Sequence, residues 1–203
     1  MKRRILAMTA CATLAAAATL LAAAGSHAQG EGAARFTADG KLEFPKDYRT
    51  WIYLSTGLDM SYLPLPAGMM GHHMFDSVFV DPASYAAFQK TGTWPEGAVF
   101  VLEVRGAQEK GSINKSGQYQ STVVMGRETH VKDKRFASGW AFFPFGTGEG
   151  PAPALPQASD CNKCHEAHGA VDTTMVQFYP TLLPVAKAKK TLSAAYLAEE
   201  KAR

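Results

Sequence analysis

The chain has 203 residues with 21 Lys+Arg, 18 Asp+Glu and 46% hydrophobic residues. This composition suits a folded chain with a core rather than a disordered one. The basic residues of the leader account for the small charge excess. Without Lys2, Arg3 and Arg4, 18 residues of each sign remain, so no basic patch argues for nucleic acid.

Residues 1–28 read as a signal peptide. Lys2, Arg3 and Arg4 precede an Ala-rich apolar run from Ile5 to Ala24, and Ser26-His27-Ala28 offers small residues for cleavage before Gln29. Cys11 leaves with this segment. The expected location is periplasmic, with no membrane span after cleavage. Residues 29–203 then form a single domain.

In chain order, residues 29–43 are Gly/Ala-rich and loose. Pro45 to Tyr53 suggests a short helix, with Tyr48, Trp51 and Ile52 at helical spacing. Leu58 to His73 is rich in Pro, Gly and Met and reads as a loop. Met74–Val80 predicts a strand. Asp81-Pro82 then starts a helix through Lys90, with Asp81 as N-cap. After the turn Trp94-Pro95-Glu96-Gly97 comes a second strand, Ala98–Arg105. It puts Phe100, Leu102 and Val104 on one face and Val99, Val101, Glu103 and Arg105 on the other.

Tyr119–Val131 is a third strand, with Val124, Gly126, Glu128 and His130 sharing a face. Gly139–Phe145 is a fourth, Trp140 and Phe142 opposing Ala141, Phe143 and Phe145. Strands joined by short connections favour an antiparallel sheet. The predicted fold is therefore α+β, an antiparallel sheet with flanking helices. A C-terminal apolar stretch follows from Val171 to Lys187, interrupted by Pro180 and Pro184, and then a helical tail from Thr191 to Arg203.

Cys161-Asn162-Lys163-Cys164-His165 is the chemical centre of the sequence. It is a C-x-x-C-H run, the attachment pattern of a c-type haem. Two thiols three residues apart on a helix can bond one porphyrin, and the adjacent imidazole can bind its iron. A zinc site would need two more ligands, and no second Cys pair exists. A thioredoxin-like pair would directly follow a strand, whereas this one follows a Gly/Pro loop. The expected cofactor is one covalent haem c on Cys161 and Cys164, with His165 as the iron ligand. Both cysteines beyond the leader belong to the motif, so no disulfide is expected.

The order of several segments resembles the cytochrome P-460 and cytochrome c′-beta family. These are Phe44-Pro45-Lys46-Asp47-Tyr48-Arg49, Phe79-Val80-Asp81-Pro82, Thr91 to Gly97, Val131-Lys132-Asp133, Gly139 to Phe143 and the late C-x-x-C-H. The resemblance implies an antiparallel-sheet c-type haem protein, a homodimer, with an open distal site. One branch oxidises hydroxylamine with a lysine cross-linked to the haem and a distal carboxylate. The other lacks the lysine, carries an aromatic cap and binds nitric oxide.

At the lysine position this chain has Leu102, which favours the uncross-linked branch; Lys90, Lys110 and Lys115 are the remaining candidates. The resemblance puts Glu128 in the place of the distal base. Its alternative role is a solvent-facing strand carboxylate. Phe75 is the first choice for the cap and Phe100 the second. His130, His72, His73 and His168 are weighed as sixth ligands, and His72-His73 beside Met69, Met70 and Met74 as a copper site. Three functions stay open: hydroxylamine or nitrogen-oxide oxidation, nitric oxide binding without turnover, and low-spin electron transfer with a redox partner protein.

Overall fold

The computed structural model describes residues 34–62 and 73–203. The signal-peptide reading, Cys11, His72, Met69 and Met70 fall outside the described residues. No helix among the described residues is long and apolar enough to cross a membrane.

Five strands form one antiparallel sheet in the order β1-β2-β3-β4-β5: Ile52–Leu58, Met74–Val80, Val99–Gln108, Tyr119–Lys132 and Trp140–Pro144. The last four lie where the alternating patterns put them. The helix expected over Pro45–Tyr53 does not form, and β1 begins at its end, at Ile52. Only Tyr48–Thr50 turns, as a single 3-10 turn, and Trp51 leaves it extended at ψ 175°. A turn this short cannot repay helix nucleation. Ile52–Leu58 instead pairs with the free edge of β2, with a register shift between Tyr53 and Ser55 that blurs the strand's alternation.

The helices are α1 (Pro82–Thr91), α2 (Asp160–His168), α3 (Leu183–Lys189) and α4 (Ala194–Ala202). Asp81 caps α1 by accepting from the Ser84 N–H at 2.8 Å, and its second oxygen accepts from the Val99 N–H at 3.1 Å, tying helix to sheet. Gly92 closes the helix at φ 78°, where glycine alone is unstrained. Pro184 occupies the first turn of α3, where no intrahelical N–H is needed, so it starts that helix rather than breaking it.

Each sheet face has its own core. One gathers Leu54, Val80, Phe100 and Trp140 from the strands with Phe88 and Trp94 and with Val176, Tyr179, Leu182 and Tyr196 from the C-terminal part. The other packs Val99, Val101, Val131, Ala141 and Phe143 against Leu42, Phe44, Tyr48 and Trp51 of the N-terminal segment. On that second face Glu103 is 1% exposed. It accepts from the Tyr48 hydroxyl, the Arg49 guanidinium and Arg105 Nε. Burial alone would raise its pKa, but Arg105, Tyr48 and Arg49 outweigh it and hold the carboxyl down.

Phe88 is 0% exposed and lies 4.2 Å, ring to ring, from Trp94. Phe88→Ala is expected to lower unfolding stability by about 3–5 kcal/mol, the usual cost of emptying a buried aromatic site. Urea denaturation of parent and variant measures it.

Candidate functional site

α2 carries the motif. Ser159 caps it, and Asn162, 3% exposed, anchors its first turn by donating to the Pro156 carbonyl at 3.2 Å and to Ser159 Oγ at 3.0 Å. Helical spacing puts Cys161, Cys164 and His165 on one face, at i, i+3 and i+4. That face meets the sheet across a cavity of about 320 Å³. Both thiols are free, and burial, followed by the charge of Glu128, pushes the Cys161 thiol pKa up.

The His165 imidazole is oriented from behind. Its Nδ1 bonds the Thr173 carbonyl at 2.7 Å. With the carbonyl as acceptor, Nδ1 carries the proton and Nε2 keeps a free lone pair. Burial lowers the His165 pKa, partly offset by this bond, which favours the neutral ligand form. Phe142 and His130 press edge-on against the ring at centroid distances of 4.7 and 5.0 Å.

The sheet side of the cavity comes from alternate residues of neighbouring strands. Leu102 lies opposite Val78 on one side and Glu128 on the other, and Phe100 lies between Val80 and His130. Phe100, Leu102 and Glu128 therefore line the cavity with Asp76, Val78 and His130. Tyr179, Phe178, Met175, Met60 and Tyr62 line it too. The last four also line a wider surface groove, as does Cys164.

Phe75 is not among the lining residues. β2 turns Asp76 and Val78 to the cavity, which sends Phe75 to the opposite face with Ser77 and Phe79. The reading of Phe75 as the cap is corrected on this ground. Phe100 does line the cavity, with Phe142, Phe178 and the two tyrosines as the other aromatic groups there.

Among the described residues no lysine lines the cavity; Lys90, Lys110 and Lys115 are exposed elsewhere. His73 is bonded to Asp59 and His168 to Glu199, both at the surface, and neither lines the cavity. No group of three or more His, Cys, Asp or Glu side chains that could hold a metal occurs among the described residues, and most of the copper group, His72, Met69 and Met70, lies outside them. His130 is in direct ring contact with His165, so the two imidazoles do not flank a porphyrin-thick gap. Burial holds the His130 pKa well below the ordinary value, followed by the effect of His165.

Asp76 is a titratable side chain of the cavity wall that the sequence reading missed. Its pKa is raised to about 6, by burial first and then by Asp59 and Glu128. Partial burial also raises the pKa of Glu128, which lines the cavity although the residue as a whole is exposed. The available signal was an Asp inside a strand of otherwise apolar and small residues, one step of alternation from Val78.

The chemistry of these side chains fits a haem. Two thiols and one neutral imidazole converge on a mostly apolar cavity. His130 Nε2 is a buried polar atom in its wall without a partner. A second hollow of about 490 Å³, lined by Leu42, Phe44 and Glu149, contains no thiol or imidazole.

No curated protein sequence matches the chain closely enough to be set beside it. A family model described as Cytochrome P460 matches residues 45–176, from the turn before β1 past the haem motif. α3 and α4 lie beyond the matched span. A match over that length, together with the thiol pair and imidazole in a single cavity, makes the chain a haem-binding cytochrome, a member of the cytochrome P460 family.

Proposed function

We propose that the chain is exported to the periplasm and carries one haem c, bonded to Cys161 and Cys164 with His165 as axial ligand. In this reading it binds nitric oxide at an open distal site and oxidises hydroxylamine weakly. One observation carries the proposal: Cys161, Cys164 and His165 face an apolar cavity that also holds two carboxylates, Asp76 and Glu128.

A haem held by Cys161, Cys164 and His165 would supply the binding position for a small nitrogen ligand and pass its electrons on to a redox partner protein. The chain's own residues do the rest. Phe100, Leu102 and Val78 offer no strong ligand and little polarity, so a small neutral molecule enters at low desolvation cost. Glu128 and Asp76, with raised pKa values, can take protons from hydroxylamine. Leu102 in the place of a cross-linking lysine supports an ordinary c-type spectrum. Homodimer formation is part of the proposal, and the exposed Val123 and Met125 on β4 are apolar surface available for it.

Titrating the ferrous protein with nitric oxide, followed optically, tests the binding claim, and saturation at one equivalent is the expected result. A second reading has one observation in its favour: the thioethers of Met60 and Met175 line the same cavity, and a thioether can be a strong sixth ligand. A low-spin iron with methionine ligation that refuses nitric oxide would make the protein an electron carrier.

Asp76 makes its own prediction. Its folded pKa of about 6 lies above the ordinary 3.8. The folded state therefore binds the proton more tightly than the unfolded state. Its contribution to stability is fully present below about 4 and is lost as pH rises through about 6. Comparing thermal stability of parent and Asp76→Asn across that window should show this slope in the parent and its loss in the variant.

A further inference from the structure

Asp172 and Thr173 are consecutive non-glycine residues at φ 49° and 60°. Left-handed backbone is costly for such residues, above all for β-branched threonine, and persists where the surroundings compel it. Here they form the centre of a tight turn closed by a bridge between Val171 and Thr174. The compelling contacts come from residues far away in the chain. Asp172 Oδ2 accepts from the Trp94 backbone N–H at 3.1 Å and from Lys132 Nζ at 3.0 Å. Thr174 Oγ1 accepts from the Trp94 indole N–H at 2.8 Å and donates to the Val171 carbonyl at 2.6 Å. Lys132 Nζ also donates to the Trp94 carbonyl at 2.9 Å, closing the set.

The carbonyl that this turn presents is that of Thr173, the acceptor for His165 Nδ1. Approach from the helix side is equally tight. A Cβ on Gly169 would lie 2.5 Å from the Thr173 carbonyl carbon, so only glycine lets the helix end sit against the turn. The imidazole and its acceptor are thus held by a clamp anchored in the Trp94 turn and β4.

We infer that Trp94, Lys132 and Asp172 are positioning residues for the axial ligand, locking the Thr173 carbonyl onto His165 Nδ1 and so setting the donor strength of Nε2 toward iron. A firm acceptor at Nδ1 increases the basicity of the ligating nitrogen, and a stronger donor favours ferric over ferrous iron. Loosening the clamp lengthens or tilts this hydrogen bond and weakens the donor. The inference rests on His165 as iron ligand and is independent of which small molecule binds on the other side.

The test uses the haem-loaded protein with Lys132→Gln, Lys132→Arg and Trp94→Phe. Resonance Raman of the ferrous form reads the iron–histidine stretch, and potentiometry reads the midpoint potential. Lys132→Gln and Trp94→Phe are expected to move the stretch to lower frequency and the potential upward, with Lys132→Arg restoring both toward the parent. Lowered melting temperature with both readouts unchanged would make the clamp purely structural and overturn the inference. Should Trp94→Phe not accumulate, the Lys132 pair decides alone, since that side chain is only partly buried. A parent protein without any iron–histidine band would overturn the ligand assignment and this inference together. Unchanged readouts in a parent that has the band would overturn the inference only.

Discussion

Cys161→Ala combined with Cys164→Ala is expected to abolish stable haem attachment. After denaturation in acid-acetone the parent polypeptide should retain its haem, and the double variant should release all of it. The thioether bonds need both thiols on the same side of one helical turn, and α2 supplies that with Cys161 and Cys164 facing one cavity. Haem that extracts freely from the parent would reject covalent attachment. His165→Ala separates the second role of the motif: thioethers can still form, but the ferrous spectrum should lose its normal axial ligation. A variant spectrum identical to the parent's would move the axial role to another residue.

The second large effect concerns Glu128. Glu128→Gln should lower residual hydroxylamine oxidation by about a hundred- to ten-thousand-fold, the usual contribution of a positioned general base. Nitric oxide affinity should stay close to the parent value, because binding a neutral diatomic needs iron and space but no proton acceptor. Glutamine keeps the size and polarity of the side chain at the cavity wall and removes only the ability to take a proton. Steady-state turnover with an artificial electron acceptor, set beside nitric oxide titration of the same sample, separates the two. Equal turnover in variant and parent would return Glu128 to the role of a strand carboxylate and leave Asp76, on the same cavity wall, as the acceptor to examine. A lysine–haem bond mapped by mass spectrometry would instead place the protein in the cross-linked branch, although Leu102 occupies the expected position.

Much of this architecture is written in local patterns. The C-x-x-C-H run determined by itself that Cys161, Cys164 and His165 share one face of α2, because the spacing of thiols and imidazole on one turn is a property of any α-helix. Asp81-Pro82 determined where α1 begins, since cap and fixed φ act within a few residues. The alternation in β3, β4 and β5 determined which side chains travel together: Phe100 with Leu102, Glu128 with His130, Trp140 with Phe142.

Pairing and packing decided the rest. Ile52–Leu58 became a strand because the edge of β2 was there to receive it, and its irregular register hid the pattern. Period-two alternation separates two faces but does not say which one a cavity will use. For β2 the placement of α2 decided it, taking Asp76 inward and Phe75 away. The acceptor for His165 could not be read from the chain either. Its carbonyl belongs to a turn held in a left-handed conformation by Trp94, 78 residues before Asp172, and by Lys132, 40 residues before it. Backbone carbonyls carry no residue signature, and contacts between remote segments exist only once the sheet has assembled.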